Sequence, residues 1–173
     1  MNYLHTNEEK LMPTVVSLNL LLADYHVYYQ NLRNFHWNIL GHNFFDLHEK
    51  FEDLYGDART KIDEIAERIL TLRFHPVSKM SDYLKLSTLQ EVPSLIEDQE
   101  MVTRLIQDHS HLLEQMKDVL SKAEAAEDEG TIDMMGGYIR ELEKQTWMLN
   151  AWSKTGHEKL RQADMKSVTK TNA

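Results

Sequence analysis

Apolar residues recur at helical spacing in four long stretches of this chain, and little interrupts them: 6 Gly and 3 Pro are spread over 173 residues. Gly and Pro are what ordinarily ends an element, so a chain this short of both is expected to build long helices. The first stretch runs from about Pro13 to Ile39, with Leu18, Leu21, Leu22, Tyr25, Leu32 and Phe35 on one broad face. Pro13 suits a first turn, where its missing N–H is not needed, and a capping box formed by Thr6 and Glu9 leaves an earlier start open. The second stretch runs from about Phe44 to Phe74 and is ended by His75-Pro76, since the residue before proline is pushed out of the helical region. The third runs from about Pro93 to Ala125, and the fourth, after the turn Glu127-Asp128-Glu129-Gly130, from about Thr131 to Leu160. Residues 81–86 predict a short extra helix inside the longer connection between the second and third. The expected fold is therefore all-α, a four-helix bundle with that short helix added. It forms one domain over residues 1–173, with 1–12 and 161–173 as tails.

Composition then narrows the chemistry. Lys and Arg total 19 against 28 Asp and Glu, a net charge of −9, which repels nucleic acid and attracts cations. With 0 Cys there is no disulfide and no thiolate ligand, so any metal must be held by His and carboxylates. The first residues lack the basic start and apolar run of a leader, and no apolar stretch reaches membrane-spanning length, which predicts a cytoplasmic address.

Two pairs on the second helix have the i,i+4 spacing that places both side chains on one face: His48 with Glu52, and Asp63 with Glu67. His36 lies just before the Gly41 turn, where it can fold back toward the start of that helix. A solvated polar pair is the commonest origin of such spacing, and a lone His beside Trp37 is more often packed than ligating, so spacing alone leaves both explanations open. Geometry adds a constraint. Fifteen residues separate His48 from Asp63, about 22 Å along a helix axis and about 60° past a whole number of turns. The two pairs thus share a side of the helix but cannot share an ion within one chain. Two copies crossing antiparallel about a two-fold axis near Asp57 and Ala58 would bring His48 and Glu52 of one against Asp63 and Glu67 of the other. The small residues Gly56 and Ala58 at that point are expected to permit the approach. No Glu-x-x-His motif, the hallmark of a di-iron site inside a single bundle, occurs in the chain.

The segments Asn34-Phe35-His36-Trp37-Asn38, Phe44-Phe45-x-Leu47-His48-Glu49 and Asp63-Glu64-Ile65-Ala66-Glu67-Arg68-Ile69 resemble the signature of the Dps proteins, the ferritin-like miniferritins. Leu22-Ala23-Asp24-Tyr25-His26 and Leu142-Glu143-Lys144-x-x-Trp147 extend the resemblance over most of the chain. It implies a hollow dodecameric shell that oxidises Fe(II), typically with hydrogen peroxide, at two-fold interfaces and stores ferric mineral inside. It also implies the ligands: His36, His48 and position 52 from one subunit, Asp63 and Glu67 from its neighbour, and Trp37 beside the site. The usual residue at position 52 is Asp, and Glu52 is one methylene longer.

Glu127, Asp128, Glu129 and Asp133 cluster at the start of the fourth helix, where carboxylates are also favoured by the helix dipole alone. The resemblance puts this region at three-fold pores, where Asp128, Glu129 and Asp133 would concentrate Fe(II). DNA binding in the family often uses a Lys-rich tail. Here the first ten residues carry one Lys against two Glu, and the last twelve carry two Lys and one Asp, so DNA binding is expected to be weak or absent. The competing function is a nucleoid-associated protein that protects DNA mainly by coating it.

Overall fold

The computed structural model describes residues 8–154. Its elements are α1 (Glu8–Asn38), α2 (Phe44–Thr71), the short α3 (Met80–Leu86), α4 (Asp98–Ala126) and α5 (Glu129–Ser153), with no strand among the described residues. The expected elements are all present, but several ends differ. The expectation for residues 155–160 and for the Thr6 cap lies outside the described residues.

α1 starts at Glu8, so residues 8–12 of the expected tail are helix and Leu11 is buried. Pro13 is therefore inside the first turns rather than at the first position. α2 stops at Thr71 rather than at Phe74. Arg73 takes a left-handed conformation (φ 73°), its N–H donates to the Leu70 carbonyl (2.9 Å), and the Phe74 N–H donates to that of Ile69 (3.1 Å). This is the Schellman arrangement that closes a helix, completed before Pro76 has any say. α4 begins at Asp98, five residues after Pro93. The intervening backbone is held from α1 instead: the Asn34 amide donates to the Val92 carbonyl (2.8 Å), the Asn31 amide to that of Gln90 (3.0 Å), and the Val92 N–H to Asn31 Oδ1 (3.2 Å).

Topology follows from the ends. Asn43 before α2 donates to Asp98 at the start of α4 (2.7 Å), while Arg68 near the end of α2 pairs with Asp128 at the start of α5. α2 and α4 therefore run parallel, with the crossover carrying α3 between them against α1. That is a four-helix bundle with one long connection. α1 packs on both α2 and α4, and α4 on α5. Its core contains Phe35, Phe51, Leu54, Leu105, Met116 and Met135, each fully buried. Burying such side chains contributes roughly 1.5–3 kcal/mol apiece before the entropy of ordering them is subtracted.

The core also holds a satisfied polar string. The Thr146 hydroxyl donates to the Leu142 carbonyl (2.6 Å), so its oxygen accepts from His109 Nδ1 (2.8 Å), and Tyr28 must then donate to His109 Nε2 (2.7 Å). Burial pushes the His109 pKa down to about 3, which keeps the ring neutral.

The seam between α2 and α5 is looser and is bridged by long side chains. Lys61, buried, pairs with Asp57 and with Glu141 (2.9 Å), and the Tyr138 hydroxyl donates to Glu64. A groove of about 530 Å³ runs along this seam. No described helix is long and apolar enough to cross a membrane.

Candidate metal centre

The α1–α2 turn makes the site. Gly41 at φ +98° adopts a conformation that other residues avoid, and it reverses the chain within five residues. His36 in the last turn of α1 is thereby laid against His48 in the second turn of α2. Their rings stack with centroids 3.7 Å apart and planes 22° apart.

Each imidazole holds the other's backbone. His36 Nδ1 lies 2.8 Å from the His48 carbonyl, and His48 Nδ1 lies 2.8 Å from the His36 carbonyl. A carbonyl can only accept, so both Nδ1 atoms carry the proton, and in the neutral ring it is Nε2 that offers the lone pair. That fixes tautomer and ring orientation in the manner of metal-bound histidines. Glu52, one turn beyond His48, completes the group: one ligand atom from each of His36, His48 and Glu52 lies within 4.8 Å of the others. It is the one such group of three among the described residues. Two imidazole nitrogens with a carboxylate suit iron and its neighbours in the transition series.

Aromatic side chains surround the group. Phe44 stacks on His48 (4.9 Å), and Tyr55 meets His36 edge-on (5.3 Å, 85°). The Tyr55 hydroxyl donates to Glu52 Oε1 (3.2 Å). Desolvation, then the adjacent Glu52 carboxylate, raises the Tyr55 pKa, so the phenol keeps its proton to donate. Trp37 points outward, 59% exposed, with the Arg33 guanidinium 4.6 Å from its ring. Tyr55 belongs to none of the spaced pairs in the sequence. The signal available for it was its i+3 spacing from Glu52.

Asp63 and Glu67 are exposed on α2 and are not part of the group. The helix is continuous from Phe44 to Thr71, so the separation of about 22 Å from His48 holds. Phe45 (82% exposed) and Leu70 (49%) lie on this same helical face, one beyond each pair. The expected two-fold between Asp57 and Ala58 would set Phe45 opposite Leu70, His48 opposite Glu67 and Glu52 opposite Asp63. Ala58 does not line that face. It is 0% exposed in the chain's own core, so the expectation that it permits helix approach is corrected. Gly56 remains: a Cβ there would meet nothing in this chain.

The acidic turn divides in two. Asp128, expected with the pore carboxylates, is 6% exposed. Its carboxylate caps α5 by accepting from the Thr131 N–H (3.2 Å) and hydroxyl (2.6 Å), and it pairs with Arg68. The Arg68 guanidinium lies across Gly130 so closely that any Cβ would stand 2.8 Å from its nitrogen. Asp128 is thus turned inward, whereas Glu129 and Asp133 are exposed.

Known proteins resemble this chain over most of its length. A family model for the ferritin-like domain matches residues 16–157. The DNA protection during starvation protein 2 of Bacillus anthracis is 43% identical over 135 residues, covering 78% of this chain and 92% of that one. The corresponding protein of Porphyromonas gingivalis is 40% identical over 146 residues, 84% of this chain and 92% of that one. Among solved structures, the Dps protein of Vibrio cholerae O1, a member of the broad superfamily of ferritin-like diiron-carboxylate proteins, superposes with a TM-score of 0.86 at 45% identity. That match spans 89% of this chain and 97% of the other. With the bundle topology, the histidine pair and these matches in agreement, the chain belongs to the Dps family of ferritin-like proteins.

Proposed function

We propose that this protein is a ferroxidase and iron store: a homo-oligomeric, dodecameric cytoplasmic shell that takes up Fe(II), oxidises it at sites shared between two subunits and keeps the ferric product inside. The observation that carries the proposal is the His36–His48–Glu52 group, whose two Nε2 lone pairs are kept free by reciprocal hydrogen bonds to backbone. Three donors from one chain leave a metal under-coordinated. Asp63 and Glu67 of a second copy, brought over by the antiparallel crossing of α2, would add carboxylate oxygens. Fe(II) is the substrate. Hard anionic oxygens bind Fe(III) better than Fe(II), so they favour oxidation as it occurs. Two Fe(II) each give up one electron to one hydrogen peroxide, whose O–O bond breaks to leave two hydroxide-level oxygens. Removing peroxide and Fe(II) together protects against oxidative stress. The exposed carboxylates Glu129 and Asp133 are proposed to draw Fe(II) to the pore, with Asp128 supporting them from behind.

Anaerobic protein loaded with Fe(II) and then given peroxide should consume about one peroxide per two Fe(II), and ferric iron should co-elute with the shell. Ferric hydroxide forming outside the protein at the rate of free Fe(II) would contradict the proposal.

The relatives' names point to DNA protection, and two routes could supply it: iron chemistry or DNA coating. The net charge of −9 favours the first, because coating depends on neutralising phosphates. At physiological salt and neutral pH, plasmid DNA should show little or no retardation by this protein on a gel. Tight retardation that fades with added salt, without a divalent cation, would favour coating.

A further inference from the structure

Glu52 reaches the two imidazoles through a flexible side chain, and each rotatable bond frozen on binding costs entropy. Something has to hold it. Tyr55 stands at i+3, on the adjoining part of the same helix surface, and its hydroxyl donates to Glu52 Oε1 at 3.2 Å. Its ring is itself fixed from two sides, edge-on to His36 (5.3 Å, 85°) and edge-on to Tyr29 (6.1 Å, 84°). One side chain therefore touches two of the three grouped ligands and is braced by α1.

We infer that Tyr55 is a positioning residue, which holds the Glu52 carboxylate beside His36 and His48 so that it is already in place when the ion arrives. This rests on the ferroxidase proposal. The hydroxyl uses one lone pair of Oε1, and the carboxylate keeps its others for the ion, so the bond orients the ligand without displacing it. The arrangement depends on the length of Glu52. An Asp at this position draws the carboxylate back by one methylene, away from the hydroxyl, and Tyr55 then has nothing to hold.

The test is a double-mutant cycle on assembled protein with Tyr55→Phe, Glu52→Asp and the pair together. The phenylalanine ring preserves both edge contacts, so shell mass and helicity should not change. Two readouts are used: equilibrium titration with Co(II) alone, and steady-state Fe(II) oxidation. With Glu52 in place, Tyr55→Phe should weaken Co(II) binding by about 5–10-fold and raise KM for Fe(II) by a similar factor, with kcat changed less than about twofold. In the Glu52→Asp background the same change should move each quantity by less than about twofold. Equal losses in both backgrounds, or Tyr55→Phe indistinguishable from wild type in an active shell, overturns the role of Tyr55 alone. A wild-type shell that neither binds Co(II) nor oxidises Fe(II) overturns the ferroxidase proposal and the role of Tyr55 with it.

Discussion

Replacing Asp128 by Ala is expected to lower the melting temperature of the protein by about 5–10 °C. The change removes the N-cap of α5, worth roughly 1 kcal/mol. It also strands the Arg68 guanidinium over Gly130 without its carboxylate. Removing one partner of a fully buried pair costs about 3–5 kcal/mol, but Arg68 is about a quarter exposed, so solvent recovers part of that. A total near 2–3 kcal/mol follows, and for a chain of this size each kcal/mol moves the midpoint by about 2–4 °C. Asp128→Asn keeps a good capping side chain while removing the charge, and should lose about half as much. Glu129→Gln with Asp133→Asn, both on the exposed side of the turn, should leave the midpoint within about 1 °C and slow iron uptake at low ionic strength. The measurement is thermal unfolding at one protein concentration, because subunit association contributes to the midpoint. An unchanged midpoint for Asp128→Ala would mean that the inward pairing does not matter to the fold.

Asp128 also shows where sequence stops being informative. An Asp three residues before Thr131 is a start signal for a helix, but its place in the acidic turn groups it with the exposed carboxylates instead. Its partner Arg68 lies sixty residues away on another helix, and nothing local announces it. The same holds at the helix ends. The four long helices were readable because their apolar spacing persists over many turns, whereas the short α3, 7 residues long, showed only as a brief apolar stretch inside the longer connection. The end of α2 was not, because a left-handed Arg73 closes it where Gly or Asn is the usual sign. The late start of α4 was not, because Asn31 and Asn34 of α1 claim the backbone around Val92 through tertiary hydrogen bonds.

For the candidate site, the turn at Gly41 made the approach of His36 to His48 legible. The reciprocal carbonyl bonds that orient the two rings were not, since they depend on how two helix ends meet. Ala58 departs from its sequence expectation for a related reason. Its position in sequence places it at the crossing, but its angular position on α2 turns it into the core.

The most direct test of a site shared between two chains is complementation between two impaired proteins. One carries His36→Ala and His48→Ala, the other Asp63→Ala and Glu67→Ala. Each should form shells and oxidise Fe(II) at least about tenfold more slowly than wild type, because loss of outer partners alone already costs about 10–100-fold at metal sites. Unfolded together and reassembled, subunits that pair at random give mixed dimers about half the time. In each mixed dimer one site collects all the lesions and the other collects none, so about one quarter of wild-type sites should return. The stretch of about 22 Å between the two pairs on continuous α2 leaves no route to such recovery within a single chain. The quantity to measure is the fast phase of Fe(II) oxidation per subunit, with mixed assembly verified by mass. Recovery near one quarter is the predicted result; activity no greater than the average of the two parent proteins would contradict an inter-subunit site.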